Sequence, residues 1–294
     1  MAEAERAIAL DPNDAESYVA LGSAFNLFGE RTTEAITLVE KAIRLSPRYS
    51  FEFPFNLGWA YSLVGRYEEA LAAQKQALLR NPNWLFSYIE LVVNYQLQWS
   101  SQLSHNPQTL DRAFEAAQQM VALDASSPLS HLLLSKVYLW KKQYEQVSVE
   151  AERVLALNPS RGDIYPVSAD LLSFLGRPEE ALGLAEKALR LNSRLPPRNL
   201  IQLGHTYYLA GQAEEATAAL KKSLNGSPAD LDAHRLLAAV YSEVGREAEA
   251  RAAAAEVLRI NPHWSLEVWK QRTPYKDPAT LERVFANLRK AGLK

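Results

Sequence analysis

One periodicity governs this chain. Pro12, Pro47, Pro82, Pro159, Pro228 and Pro262 each close a helical stretch, and Ala125 and Ser193 stand where two more such residues are expected. The successive spacings are 35, 35, 43, 34, 34, 35 and 34 residues. A period near 34 sustained along the chain calls for one small unit that repeats and stacks on its neighbours. The 43-residue step is the single large departure and marks an insertion.

Within each unit the same residue types recur in phase. Leu21-Gly22 is followed by Phe25, Leu57-Gly58 by Tyr61 and Leu203-Gly204 by Tyr207. Leu91-Val92 with Tyr95, Leu134-Ser135 with Tyr138 and Leu237-Ala238 with Tyr241 keep the large residues and relax the small one. A Gly follows at Gly29, Gly65, Gly176, Gly211 and Gly245, and then an acid and an Ala at Glu34-Ala35, Glu69-Ala70, Glu180-Ala181, Glu215-Ala216 and Glu249-Ala250. Spacings of three, four and seven place these residues on one face of each of two helices. The Gly permits the turn between them and the Pro ends the second. Small residues let the two backbones approach while the aromatic fills the space beside them. One such hairpin cannot cover its own apolar face, whereas a stack of seven can.

Composition narrows the function. The 294 residues are 48% apolar and 22% charged, as in folded soluble chains. Thirty-two Lys and Arg against 34 Asp and Glu give a net charge of -2, which argues against a broad nucleic-acid-binding surface. No apolar run reaches membrane-spanning length and no secretory leader pattern opens the chain, so a cytoplasmic location is expected. With no Cys there is no disulfide framework and no thiolate chemistry.

The repeat resembles the tetratricopeptide repeat (TPR), through its Leu-Gly, Tyr, Ala and Pro positions at a 34-residue period. That resemblance implies an all-α, right-handed TPR solenoid of antiparallel helical hairpins in a single domain over residues 1–294, with about sixteen main helices and almost no strand. Residues 1–12 read as a half-repeat, the second helix of a hairpin whose first is missing, which suggests a longer parent; the alternative is a genuine start that uses this helix as a cap. Residues 13–262 hold seven repeats, with an insertion near 98–108. Residues 263–294 form a last helix, from about Ser265 to Gln271, and then a capping helix with Asp277 as N-cap, Pro278 at its first place and Leu281, Val284, Phe285 and Leu288 as its apolar stripe. The pattern is weakest at 162–195, where Leu172 replaces the aromatic and Ala169 the Gly. In the insertion, Gln98 to Ser104 either lengthens the first helix or loops out, and Asn106-Pro107 reads as the cap and first turn of the next helix; its role is either a loop on the partner-facing edge or a tolerated insertion with Trp99 folded onto its own hairpin. The closing segment, from Ser265-Leu266-Glu267 through Pro274-Tyr275-Lys276-Asp277-Pro278 to Leu288-Arg289-Lys290, is similar to the ending of bacterial signalling proteins that place a class III adenylate/guanylate cyclase or winged-helix domain before such an array.

No catalytic or cofactor motif is present. The Gly residues sit mostly at hairpin turns and not in a phosphate-cradling loop. His105, His131, His205, His234 and His263 fall in different repeats, so no pair has metal-ligand spacing. Asp14, Glu16, Glu68-Glu69 and Glu214-Glu215 lie at helix starts, where the helix dipole favours negative charge. The chain is therefore expected to be no enzyme and to hold no cofactor or metal.

What remains is the groove that first helices line in the resembled family. Its phase selects Val19, Ser23 and Asn26, then Phe55, Trp59 and Ser62, then Ile89, Val93 and Gln96. Leu132, Lys136 and Leu139 follow, and then Asp170, His205, Tyr208 and Arg235. The first half of this set is apolar and aromatic and the second mixed and charged. Relatives that clamp a chaperone's terminal carboxylate use Lys and Asn where Val19 and Ser23 stand, so an apolar peptide segment or amphipathic helix is the better-fitting partner. The expected function is a non-catalytic protein–protein interaction scaffold. That partner could also be a neighbouring domain of the same parent; self-assembly into a homo-oligomer is the alternative, and an enzyme with residues dispersed across the groove is a third reading that no motif supports.

Overall fold

The computed structural model describes residues 1–28, 31–104, 106–158, 160, 162–192 and 195–294. Gly29, His105, Pro159 and Ser193 of the sequence pattern lie outside the described residues. The described residues form seventeen helices and no strand. A single helix, α1 (Ala2–Leu10), precedes seven hairpins. These are α2 (Ala15–Phe28) with α3 (Thr32–Leu45), α4 (Glu52–Leu63) with α5 (Tyr67–Arg80), and α6 (Leu85–Ser100) with α7 (Thr109–Leu123). Next come α8 (Pro128–Trp140) with α9 (Tyr144–Leu157) and α10 (Ile164–Phe174) with α11 (Pro178–Leu191). The last two are α12 (Pro197–Leu209) with α13 (Ala213–Gly226) and α14 (Leu231–Glu243) with α15 (Glu247–Ile260), followed by α16 (Leu266–Arg272) and α17 (Pro278–Lys290). The chain divides into two compact units, residues 1–95 with 115–123 and residues 96–114 with 124–294.

In the first unit the small residues of the repeat act where the sequence places them. A Cβ on Gly58 would stand 2.6 Å from Gln74 Nε2 and 3.1 Å from the Ala70 carbonyl, so only Gly lets α4 and α5 approach this closely. Gln74 is fully buried there, donating to the Phe55 carbonyl at 3.1 Å and accepting from the Ser87 hydroxyl at 2.8 Å. Leu21, Phe25, Ile36 and Tyr61 form one core cluster and Tyr18, Val19, Val39 and Phe53 another. Helix α1 lays Ala4 and Ile8 against them and leaves Leu10 exposed.

The second unit repeats the packing, including the stretch where the pattern is weakest. Ala169 is fully buried with Ala181, Ala185 and Leu203, so an Ala suffices where other repeats use Gly. Gly65, Gly176, Gly211 and Gly245 all take the left-handed turn. At the equivalent place after Tyr138 stands Lys142, with φ 58°, a conformation that costs an L residue about 1–2 kcal/mol. Its ammonium donates to the Gln271 carbonyl at 2.9 Å, a contact glycine cannot make.

The acids at helix starts do more than answer the dipole. Arg31, Arg66, Arg177 and Arg246 each pair with the Glu three residues on. Three of these guanidinium groups also lie over the preceding aromatic, at 4.4 Å from Phe25, 4.3 Å from Tyr61 and 4.5 Å from Tyr241. The pairing holds the Glu69, Glu180 and Glu249 carboxyls below the usual carboxylate range.

The insertion lengthens the first helix of its hairpin, since α6 runs on through Gln98 and Trp99 to Ser100. The stretch that follows lies against the end of the last repeat, within the second unit, rather than looping free. Gln102 grips the Ser265 backbone from both sides, accepting from its N–H and donating to its carbonyl, each at 2.8 Å. Asn261 Nδ2 donates to the Ser101 carbonyl at 2.8 Å. Arg272 stacks 4.2 Å over the Trp99 ring and donates to the Trp99 carbonyl at 2.9 Å, and its loss of water lowers the guanidinium pKa. Backbone groups more than 150 residues away have no sequence signature, which is why the pairing was illegible. Helix α7 begins at Thr109, after an Asx turn in which Gln108 N–H donates to Asn106, rather than at Pro107.

Candidate functional site

Two faces built from first helices are candidates, one in each unit. In the first unit, α4 and the start of α6 bring together five rings. Phe55 lies 6.2 Å from Trp59, 5.8 Å from Trp84 and 6.4 Å from Phe86, and Phe51 lies 4.7 Å from Trp84. The i, i+4 spacing puts Phe55 and Trp59 on one side of α4. Both are half-buried, while Phe86 is 52% exposed. Ile89 and Val93 on α6, with Ser23 and Ser62, are likewise half-buried. Sequence reasoning missed Phe51, Trp84 and Phe86, which lie in inter-repeat turns or the first turn of a helix, outside the phase used to select groove residues.

Several expected groove residues are internal instead. Val19, Leu132 and Tyr208 belong to core clusters. Asn26 is buried and donates to the Asn56 carbonyl at 2.9 Å, joining α2 to α4.

The charged face of the second unit is brought together, and the chain's own C-terminal segment lies on it. Gln96, Lys136, Asp170, His205 and Arg235 line one cavity of about 110 Å³, as does Leu139. Tyr275, from the connection between α16 and α17, is buried against it, its ring 4.9 Å from Phe174. His205 donates from Nδ1 to Asp170 at 2.6 Å, and its Nε2 shares a hydrogen bond with the Tyr275 hydroxyl at 2.7 Å. Burial pushes the Tyr275 phenol well above its ordinary pKa. The Tyr144 hydroxyl donates to the Tyr275 carbonyl at 3.3 Å and Lys276 N–H to the Phe174 carbonyl at 3.0 Å. Helix α17 follows with the predicted N-cap and stripe: Asp277 accepts from Ala279 and Thr280 N–H, and Val284, Phe285 and Leu288 are buried. Its Asn287 donates to the Tyr208 hydroxyl at 3.1 Å and to Glu243 at 2.7 Å, so the helix covers part of α12 as well as α14. A cap was legible in the sequence; its course across the first helices was not.

The fold and these faces define a stack of helical hairpins that presents side chains from its first helices. A tetratricopeptide repeat family model matches residues 207–270 of this stack and a second matches residues 55–84. A search of curated proteins returns no match. Among solved structures, a chain of the APC/C hetero-tetramer Cut9-Hcn1 is similar, with a TM-score of 0.65, 16% identity, and coverage of 92% of this chain and 52% of that one. A tetratricopeptide repeat protein from Parabacteroides merdae is similar with a TM-score of 0.56 and 15% identity, covering 92% of this chain and 98% of that one. This chain therefore spans about half the length of the Cut9-Hcn1 chain it matches, and both likenesses show the TPR fold. No described helix is long and apolar enough to cross a membrane.

Proposed function

We propose that this chain is a non-catalytic interaction scaffold whose first unit captures an apolar peptide segment or amphipathic helix. The observation that supports this reading is the five-ring cluster of Phe51, Phe55, Trp59, Trp84 and Phe86, only partly covered. Aromatic anchors of this kind supply large contact area with little side-chain entropy to lose. An amphipathic helix offers apolar residues at spacings of three and four that match the rings of α4 and the Ile89–Val93 pair of α6. The similarity of the closing segment to endings of bacterial signalling proteins supports reading the chain as the interaction part of a larger regulator.

The test is selection of peptides from a displayed random library on the immobilised full chain, followed by affinity measurement on the purified peptides. Selected sequences should carry apolar residues at i, i+3 or i+4. Trp59→Ala should weaken them about thirtyfold, equivalent to roughly 2 kcal/mol, with little dependence on salt. Lys136→Ala and Arg235→Ala should weaken them less. Acidic or basic selected peptides whose binding collapses with added salt would overturn the proposal.

A further inference from the structure

The cavity of the second unit contains polar groups that the fold leaves unused. Its walls come from α8, α10, α12 and α14, with Trp269 and Thr273 at the α16 side and Gln96 opposite. Among the described residues, both side-chain amide atoms of Gln96, Gln202 Oε1 and Arg235 Nη1 are buried with no hydrogen-bond partner. Gln96 is 3% exposed, Gln202 7% and Arg235 9%. A protein interior seldom leaves one such group unmatched, because each costs about 1–3 kcal/mol. Here the three residues that carry these four atoms all line one space.

Beside the His205–Asp170 and Arg235–Asp232 contacts, the charges around that space include two like-signed pairs. The half-buried Lys136 from α8 and the exposed Arg198 from α12 both line it, and among the described residues neither makes a hydrogen bond or stands within 4 Å of a carboxylate. Loss of water, and then the Arg198 charge, bring the Lys136 ammonium down to a pKa of about 8, despite Asp170 and Asp232 nearby. At the start of α14, Asp230 caps the helix by accepting from Ala233 N–H, and Asp232 accepts from Arg235 at 3.1 Å. Loss of water and then the Asp232 charge raise the Asp230 carboxyl. An anion would relieve the first pair and a cation the second. Cavity size limits what could bring both. A water needs about 10–15 Å³ of such space, so about 110 Å³ holds roughly seven to eleven non-hydrogen atoms.

We infer that this cavity is a binding site for a small zwitterion of amino-acid size, its carboxylate toward Lys136 and Arg198 and its ammonium toward Asp230 and Asp232. The unmatched Gln96 and Gln202 amides and Arg235 Nη1 supply hydrogen bonds for its remaining polar atoms. The site lies within the second unit and its ligand is argued independently of peptide capture by the first.

The experiment is isothermal titration calorimetry and thermal unfolding of the full chain with each of the twenty free amino acids. Succinate and 1,4-diaminobutane serve as single-signed probes of similar size, and N-acetyl and carboxamide forms of the best amino acid test for the free groups. At least one amino acid should bind saturably and raise Tm, with both blocked forms and both single-signed probes weaker by about tenfold or more. Lys136→Met and Asp232→Asn should each weaken binding by about tenfold, and their unliganded Tm establishes that each has folded. The inference is overturned if no amino acid shifts Tm at about 10 mM, if succinate or the diamine binds as well as the best amino acid, or if affinity survives both substitutions.

Discussion

The two units use the same hairpin and carry different side chains on their first helices. In the first, rings dominate the face, four of them half-buried and Phe86 exposed. In the second, the equivalent helix positions are charged, and the chain's own segment from Trp269 to Leu293 lies over them, with Tyr275, Val284, Phe285 and Leu288 buried. The difference teaches that a repeat phase fixes which positions are available, whereas the residue types placed there decide whether the face stays open or is filled.

The sharpest way to break this comparison is to remove the filling. Deleting residues 273–294 should destabilise the second unit by roughly 3 kcal/mol or more, since it bares the faces of α12 and α14 that Tyr275 and the α17 stripe cover. Hydrogen exchange should quicken first in residues 231–262, because repeat stability is a nearest-neighbour property, and the first unit should keep its protection. A truncated chain that melts like the whole one would make the segment a tail.

Gly58→Leu tests the first unit from inside. Any Cβ there meets Gln74, so the substitution should cost about 1–3 kcal/mol in denaturant unfolding and disturb the Phe55 carbonyl that Gln74 holds. A neutral result would place the helix contact elsewhere.

Much of this was legible in the sequence because it is local and repeated. The Leu-Gly, Tyr and Ala spacings gave the hairpins, and Asp277-Pro278 gave the start of α17. What stayed hidden depends on contacts between distant segments. Nothing in Gln102 announces Ser265, and Tyr275 reads as a connection residue until His205 is seen beside it. Arg198, Asp230 and Asp232 were missed because they lie at or near helix starts, outside the central phase. Val19, Leu132 and Tyr208 were misplaced for the related reason that a small rotation of a helix turns a groove position into the core.

Smaller effects sharpen the second face. Tyr275→Phe removes the hydroxyl from His205 Nε2 and leaves that nitrogen buried, so a loss of about 1 kcal/mol in thermal unfolding is expected, with the ring contacts to Phe174 intact. Lys136 sets a pH signature. Its folded pKa of about 8 lies below the ordinary 10.5, so between these values the unfolded chain binds more protons and Lys136 contributes a rise in stability with pH. Lys136→Met should flatten that rise, measured by denaturant unfolding at pH 7 and pH 9.5. An unchanged pH profile would mean that the ammonium is well solvated.

The contrast between an open aromatic face and a filled charged one is tested most directly by hydrogen-exchange mass spectrometry of the full chain with and without a display-selected peptide. The account predicts slowed exchange in residues 51–64 and 84–93, lost in Trp59→Ala, with residues 266–293 unchanged. Peptide-dependent change at 266–293, with 51–64 unaffected, would contradict it by showing that the partner enters where the chain's own segment now lies.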